Sequence, residues 1–345
     1  MDILDNTAVI AQRDPQDALG FAAHQPEQLS HNFNLAGHDF GAVIENVVFA
    51  GMGGSALVAE FVPTYPTLSV PYVVTKGYDI PPFVTEKTLV ICASYSGNTE
   101  ETLSALAEAE EKGAQIAIIT HGGKLLEAAH AKNYVVAELP ECPQPRTGVF
   151  YAYRALCELL VAAKLIDASV IAELENAGGT LSQVTARWVA AVPSEQNEAK
   201  QLAGKLVGKT PIIYAGTKMY PAAYKWKISV NENAKNTAWC NQLPEFNHNE
   251  FIGWSSHPIE KPFGVIDLIS RFEHERVLKR FEVSDRLLSG MRPKAITVEA
   301  EGESVLEHML YLVLLGDFAT TYLAILNGVN PTPVELVEKF KKELG

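Results

Sequence analysis

Between residues 46 and 139 the chain alternates short β-rich apolar runs with helical patterns, and few folds accept that alternation. The runs are "NVVFAGMGG" (46–54), "YVVTK" (72–76), "TLVICAS" (88–94), "QIAIIT" (115–120) and "NYVVAEL" (133–139). The first reads as strand, tight turn and helix start. Helical segments such as "EETLSALAEAEEKG" lie between the runs, and Gly113 is a natural helix stop. Strands of this kind are buried on both faces. The pattern therefore predicts an α/β protein with a doubly wound, mostly parallel sheet flanked by helices.

The alternation recurs later in the chain. Residues 1–40 are polar with scattered apolar positions and read as helical arms. Residues 151–190 are mostly helical, and "GGTLSQ" (178–183) breaks the pattern. "KTPIIYAGTKMYPAAYK" (209–225) then starts another strand, turn and helix. Set beside "NVVFAGMGGSALVAE", it repeats an apolar strand, an aromatic, Ala-Gly, a turn and an alanine-rich helix. Gly51 and Gly216 hold the same place in the two units. The reading is an internal duplication: residues 1–178 form one α/β subdomain with a helical arm, and 179–345 form a second with C-terminal helices. "FGVIDLI" (263–269) and "KAITVEA" (294–300) supply strands of the second half.

Composition removes several function classes. With 345 residues, 47% of them hydrophobic, the chain can bury a large core. A net charge of −13 argues against a broad nucleic-acid surface, while leaving room for a local pocket for a small anion. Cys92, Cys142, Cys157 and Cys240 form no C-x-x-C pair and read as reduced cytosolic thiols, so a cytoplasmic location is expected. The most apolar stretch, 309–326, is interrupted by Asp317 and reads as a core or interface helix rather than a membrane span. The nine histidines are dispersed, and His248 with Glu250 is the nearest approach to a ligand pair, so neither a metal nor a cofactor is expected.

The chemistry concentrates where the third apolar run ends. In a parallel sheet, ligands bind beyond the carboxyl ends of the strands, and "SYSGNTEET" (94–102) sits at such an end. The helix that follows offers unpaired N–H groups and partial positive charge. Gly97 permits a sharp turn, and Ser94, Ser96 and Thr99 add hydroxyl donors. Helix capping would need one such residue; three hydroxyls and a glycine suit a phosphate cup that uses no lysine. "GMGGSA" (51–56) also fits a dinucleotide fingerprint. That reading wants an acidic residue closing the next strand, and "VVTKGYD" (73–79) supplies Lys76 first. Gly53, Gly54 and Ser55 are better read as walling the same crevice as the serine-rich turn.

These residues carry a family resemblance. "SYSGNTEET" resembles the S-x-S-G-x-T signature of sugar isomerase (SIS) domains. Together with "GMGGS", "PR" (145–146), "NENAK" (231–235), "NHNEFIGW" (247–254) and "GVNPTPVELVEKFKKEL" (328–344), it resembles the bifunctional phosphoglucose/phosphomannose isomerase family from about residue 46 onward. The resemblance implies two SIS subdomains and an aldose–ketose isomerase acting on hexose 6-phosphates: glucose and mannose 6-phosphate with fructose 6-phosphate. It also implies a homodimer with sites at the subunit interface. The family's base falls on Glu232, its histidine on His248, expected from the partner subunit, and its positive clamp on Arg146. Its C-terminal lysine falls on Lys341 or Lys339. After the arginine this chain reads "TGVFYAY" where some members read "AALGY".

Elementary chemistry is compatible with those roles. Moving a proton between C2 and C1 through an enediolate needs a base, which a carboxylate can be. Asn231 and Asn233 flank Glu232 and can fix its orientation. Ring opening needs a donor, for which a histidine or lysine serves, and a planar guanidinium suits enediolate charge. Helical spacing puts Val337, Lys341 and Leu344 on one face, so Lys341 is expected to point inward and Lys339 away. Two rivals share the phosphate cup. A sugar-phosphate-binding regulator would not need Glu232, His248, Arg146 and Lys341 to converge; an aminosugar-phosphate isomerase fits "NENAK" and "NHNE" less well.

Overall fold

The computed structural model describes residues 3–35, 38, 40, 43–256 and 262–344. Helices α1 (Thr7–Arg13) and α2 (Ala18–His24) come first. The chain divides into two compact units, residues 25–180, and residues 1–24 with 181–345.

Residues 25–180 are built on strands β1 (Asn46–Gly51), β2 (Tyr72–Thr75), β3 (Thr88–Ser94), β4 (Gln115–Thr120) and β5 (Val135–Glu138). All pair in parallel in the order β2-β1-β3-β4-β5. Helices α3 (Gly53–Leu57), α4 (Glu100–Glu111), α5 (Gly123–Lys132), α6 (Val149–Ala162) and α7 (Ser169–Thr185) follow or join the strands. Every residue of β3 is buried, as a parallel sheet covered on both faces requires. Helix α4 shows why its sequence is helical: Thr102, Ala105, Leu106 and Ala109 recur along one buried stripe. It ends where Gly113 takes a left-handed φ of 66°.

One expectation is corrected here. "GGTLSQ" does not break the helix, because α7 runs unbroken through residues 178–183. A Cβ at Gly178 would lie 2.8 Å from the Pro26 carbonyl oxygen. The glycine admits a close backbone approach inside a helix, at a propensity cost of about 1 kcal/mol; it is a packing residue.

The other unit carries strands β6 (Thr210–Gly216), β7 (Trp239–Leu243), β8 (Phe263–Ile269) and β9 (Ile296–Glu299), parallel in the order β7-β6-β8-β9. Its helices are α8 (Glu198–Leu206), α9 (Tyr220–Glu232), α10 (Glu250–Gly253), α11 (Glu275–Leu287), α12 (Val305–Asn327) and α13 (Glu335–Leu344). Helix α12 is long and apolar enough to cross a membrane by length and composition, yet nearly all of it is buried in the protein. A Ser304–Glu307 capping box opens it and Gly328 closes it. Its one charge in mid-span has a partner: Asp317 Oδ1 accepts from Lys225 Nζ and from Ser229 Oγ (2.8 Å), both on α9. Trp226 Nε1 of α9 also donates to the Leu312 carbonyl (2.6 Å). The ion pair is buried, so α9 and α12 are held in register by groups that lose their partner if the helices slide.

Candidate active site

In the sheet of residues 25–180, strand order reverses between β1 and β3, which makes their carboxyl ends the place for a ligand. Residues 94–99 lie there. Thr99 stands at the N-cap of α4 but makes no side-chain cap. Its hydroxyl instead lies 2.8 Å from Ser94 Oγ, which accepts the Gly97 N–H (3.2 Å) and lies 3.4 Å from Ser96 Oγ. The three hydroxyls form one cluster rather than a cap. Ser94 is 2% exposed and organises the turn from beneath; Ser96 and Thr99 are open to solvent.

A second turn backs the first. His121 N–H donates to the Tyr95 carbonyl (3.1 Å) and Leu125 N–H to that of Gly97 (3.0 Å). Thr120 Oγ1 donates to the Ser94 carbonyl (2.7 Å). Gly97 has φ 68°, and a Cβ there would come within 1.7 Å of the Gly122 oxygen. Only glycine fits. The β1–α3 turn closes the other side, where Tyr95 N–H donates to Ser55 Oγ (3.0 Å). Gly53 is exposed on the same turn, with a left-handed φ of 51°. A Cβ on Gly54 would lie 3.4 Å from the Arg146 backbone nitrogen. Gly53, Gly54, Ser55, the serine-rich turn and Arg146 are thus brought together.

Arg146 lies in a single 3-10 turn, Pro145–Thr147, and is 2% exposed. Residues that sequence reasoning missed hold that turn. Gln28 Nε2 (2.9 Å) and Gln25 Nε2 (3.3 Å) donate to the Thr147 carbonyl, and Gln28 Oε1 accepts the Tyr151 N–H (3.3 Å). Tyr95 stacks on His121 with ring centroids 5.1 Å apart, and its hydroxyl accepts the Cys142 N–H (2.6 Å). Burial pushes the Cys142 thiol up to about 11 and the Cys92 thiol, under the cup, to about 12. Both stay protonated and unreactive at neutral pH.

In the other unit, Glu232 is the last residue of α9 and half-buried. Its flanking asparagines also bond elsewhere. Asn231 Oδ1 accepts the Ala238 N–H (3.1 Å), and Asn233 Nδ2 donates to Thr320 Oγ1 (3.0 Å). They anchor the backbone on either side. Lys235, in the left-handed region at φ 51°, closes the helix by donating to the Glu232 carbonyl (2.7 Å). It also reaches the Pro331 carbonyl (3.2 Å), tying this turn to the segment that leads into α13.

His248 ends the 3-10 turn Glu245–His248, five residues beyond β7, with its side chain exposed. Its neighbours are pinned. Asn247 bonds Ser284 Oγ (2.9 Å) and Arg280 Nη1 (3.3 Å). Glu250 accepts from the Tyr214 hydroxyl and from Asn241 Nδ2 (2.7 Å). Burial and the Glu250 carboxylate push the Tyr214 hydroxyl far up, which keeps it a donor. Across β8, Asp267 lies 3.6 Å from Arg292, and burial raises its carboxyl to about 6 against the pull of that arginine.

Glu232 and His248 do not meet within one chain. Helix α9 starts at the carboxyl end of the sheet, just after β6, and its 13 residues carry the chain back about 20 Å toward the amino end. Glu232 is therefore at the amino end, whereas His248 follows the carboxyl end of β7. The inward reading of Lys341 is also corrected: α13 buries none of its residues, and Lys341, Lys339, Val337 and Leu344 are all exposed. Helical spacing identified a shared face but not what that face meets.

The bacterial phospho-glucose isomerase C-terminal SIS domain family matches residues 195–344, and the SIS domain family matches residues 42–163. The chain is 38% identical over 306 residues to a bifunctional phosphoglucose/phosphomannose isomerase of Caldicellulosiruptor bescii, covering 87% of this chain and 90% of that one. It is 34% identical to the protein of the same description from Aquifex aeolicus, with 87% and 90% covered. A glucose-6-phosphate isomerase like protein from Thermus thermophilus shares the fold, with a TM-score of 0.63 at 18% identity over 98% of this chain and all of that one.

Proposed function

Because the chain belongs to the bifunctional phosphoglucose/phosphomannose isomerase family, we propose that it interconverts glucose 6-phosphate and mannose 6-phosphate with fructose 6-phosphate by proton transfer. The observation that carries the reading is the uncapped hydroxyl cluster at the strand-order reversal of the first sheet. A helix whose N-cap hydroxyl is turned to its neighbours keeps its N–H groups and partial positive charge for an anion. Ser96 and Thr99 hold the phosphate, Ser94 shapes the turn, and Gly53, Gly54 and Ser55 line the sugar side.

Glu232 takes the proton from C2 of the aldose and returns it at C1; the C2 epimers, glucose and mannose, give the same enediolate. Arg146 stabilises the charge that develops on the enediolate oxygens. Its burial supports this role, since a guanidinium fixed by its surroundings needs no reorganisation. His248 opens the sugar ring. The enzyme works as a homodimer in which Glu232 meets His248 of the partner subunit; the placement of the two residues at opposite ends of one sheet supports this. Lys341, exposed on α13, completes the site around the bound sugar. The test is a coupled assay on purified protein with fructose 6-phosphate, detecting both aldose products. Formation of both is expected. Tight binding without turnover of either would make the chain a sugar-phosphate sensor instead.

A further inference from the structure

The second sheet has its own strand-order reversal, between β6 and β8. The turn after β6, Thr217–Met219, opens α9, and the turn after β8 runs through Ser270–Glu273. This is the crevice that corresponds to the one holding the hydroxyl cluster in the first sheet, and α9 presents its first N–H groups to it. It is already filled. Glu273 is 5% exposed, and its Oε1 accepts the N–H groups of Lys218 (2.8 Å) and Met219 (3.0 Å). A Cβ on Gly216 would lie 2.2 Å from the Glu273 carboxyl carbon, so the bare backbone at the end of β6 is what admits the carboxylate. The Thr217 side chain also hydrogen-bonds the carboxylate, while Oε2 itself has no partner of good geometry. Gly51, in the same place in the first repeat, faces the Ala93 carbonyl at 2.8 Å on the same measure, and among the described residues its three nearest neighbours are Ala93, Phe49 and Ala56, none of them a carboxylate.

A carboxylate buried this deeply is costly unless its donors hold it firmly. An anion set on two convergent backbone N–H groups at a helix N-terminus is the arrangement used to hold phosphate. We infer that Glu273 is a built-in occupant of an oxyanion cradle: its carboxylate stands in for a phosphate in the second repeat and leaves each chain one phosphate site, in the first. Trimming the side chain beyond Cβ frees a space of about the size of an oxyanion beside the same two donors.

The test first silences the other cup, so that any phosphate binding gained belongs to the second sheet. In a Ser96→Ala/Thr99→Ala background, Glu273→Ala is expected to gain saturable binding of inorganic phosphate. The gain should be at least about tenfold over the background by calorimetry, with a melting temperature that rises in millimolar phosphate but not in chloride of equal ionic strength. Glu273→Gln keeps the space filled and should gain nothing. If Glu273→Ala folds only when phosphate is present, the ion has replaced the carboxylate and the inference holds. If the variant folds without gaining phosphate binding, or stays unfolded in phosphate, Glu273 is a structural cap and the inference is wrong. Should the background itself bind phosphate like the wild type, the reading of the first cup fails, while the increment from Glu273→Ala still decides this one.

Discussion

Gly97→Ala separates the two things a left-handed glycine can be needed for. Alanine at φ 68° carries a backbone strain of about 1–2 kcal/mol. Gly113 has nearly the same φ, 66°, but nothing lies within 4 Å of its missing Cβ, so Gly113→Ala reports strain alone. At Gly97 the new methyl would sit 1.7 Å from the Gly122 oxygen, and the turn at 120–123 must move. That turn is tied to residues 94–98 by the bonds from His121, Leu125, Thr120 and Lys124. Losing two of them adds about 2 kcal/mol. Gly97→Ala is expected to cost about 3–4 kcal/mol in urea unfolding against about 1–2 for Gly113→Ala. Displacing one hydrogen bond to a phosphate, worth about 1.5–3 kcal/mol, should also raise KM for fructose 6-phosphate about 10–100-fold. Equal stabilities within about 0.5 kcal/mol, with an unchanged KM, would refute the argument that the cup is set by this contact.

Lys225→Met leaves Asp317 buried without its cation and should destabilise by about 3–5 kcal/mol, while Lys225→Met/Asp317→Leu recovers most of the loss; additive losses in urea titrations would mean that the pair is not coupled. Asp267, raised to about 6 in the folded protein from 3.8, keeps its proton in the native state between those values. Stability relative to Asp267→Asn should therefore fall as pH rises from about 4 to about 6, by on the order of 3 kcal/mol; parallel profiles for the two proteins would contradict this. Glu232→Gln and His248→Ala should each be inactive alone. Unfolded and refolded together, they should recover about a quarter of wild-type activity under the proposed homodimer, in which half the dimers would be mixed and each would hold one intact site; no recovery would place both residues in one chain's site.

Much of this was legible in the sequence because local chemistry dictated it. Strands β3, β4 and β8 coincide with their apolar runs, since β-branched residues stop at turn-forming ones. The hydroxyl cluster was legible because three hydroxyls around a glycine exceed what capping needs. Strand β7 was missed. It is an edge strand carrying Asn241 and Gln242, and Asn241 serves Glu250 rather than a hydrophobic core. Gly178–Gly179 misled because glycine's low helix propensity was outweighed by a close contact with Pro26 that lies far away in sequence. The roles of Asn231, Asn233 and Lys235 depend on Thr320, Ala238 and Pro331, partners that no local pattern names. For Lys341, periodicity set which residues share a face of α13, but the burial of that face is a property of what surrounds it.

The central claim is that Glu232 carries the proton between C2 and C1. Glu232→Gln keeps the size and much of the hydrogen bonding of the side chain and removes its basicity, which typically costs about 10²–10⁴-fold in rate. The direct measurement follows exchange of the C2 proton of glucose 6-phosphate with heavy water by proton magnetic resonance, with substrate affinity measured on the same preparation. The account predicts that exchange stops in Glu232→Gln while hexose phosphate still binds. Exchange at close to the wild-type rate would show that another group is the base.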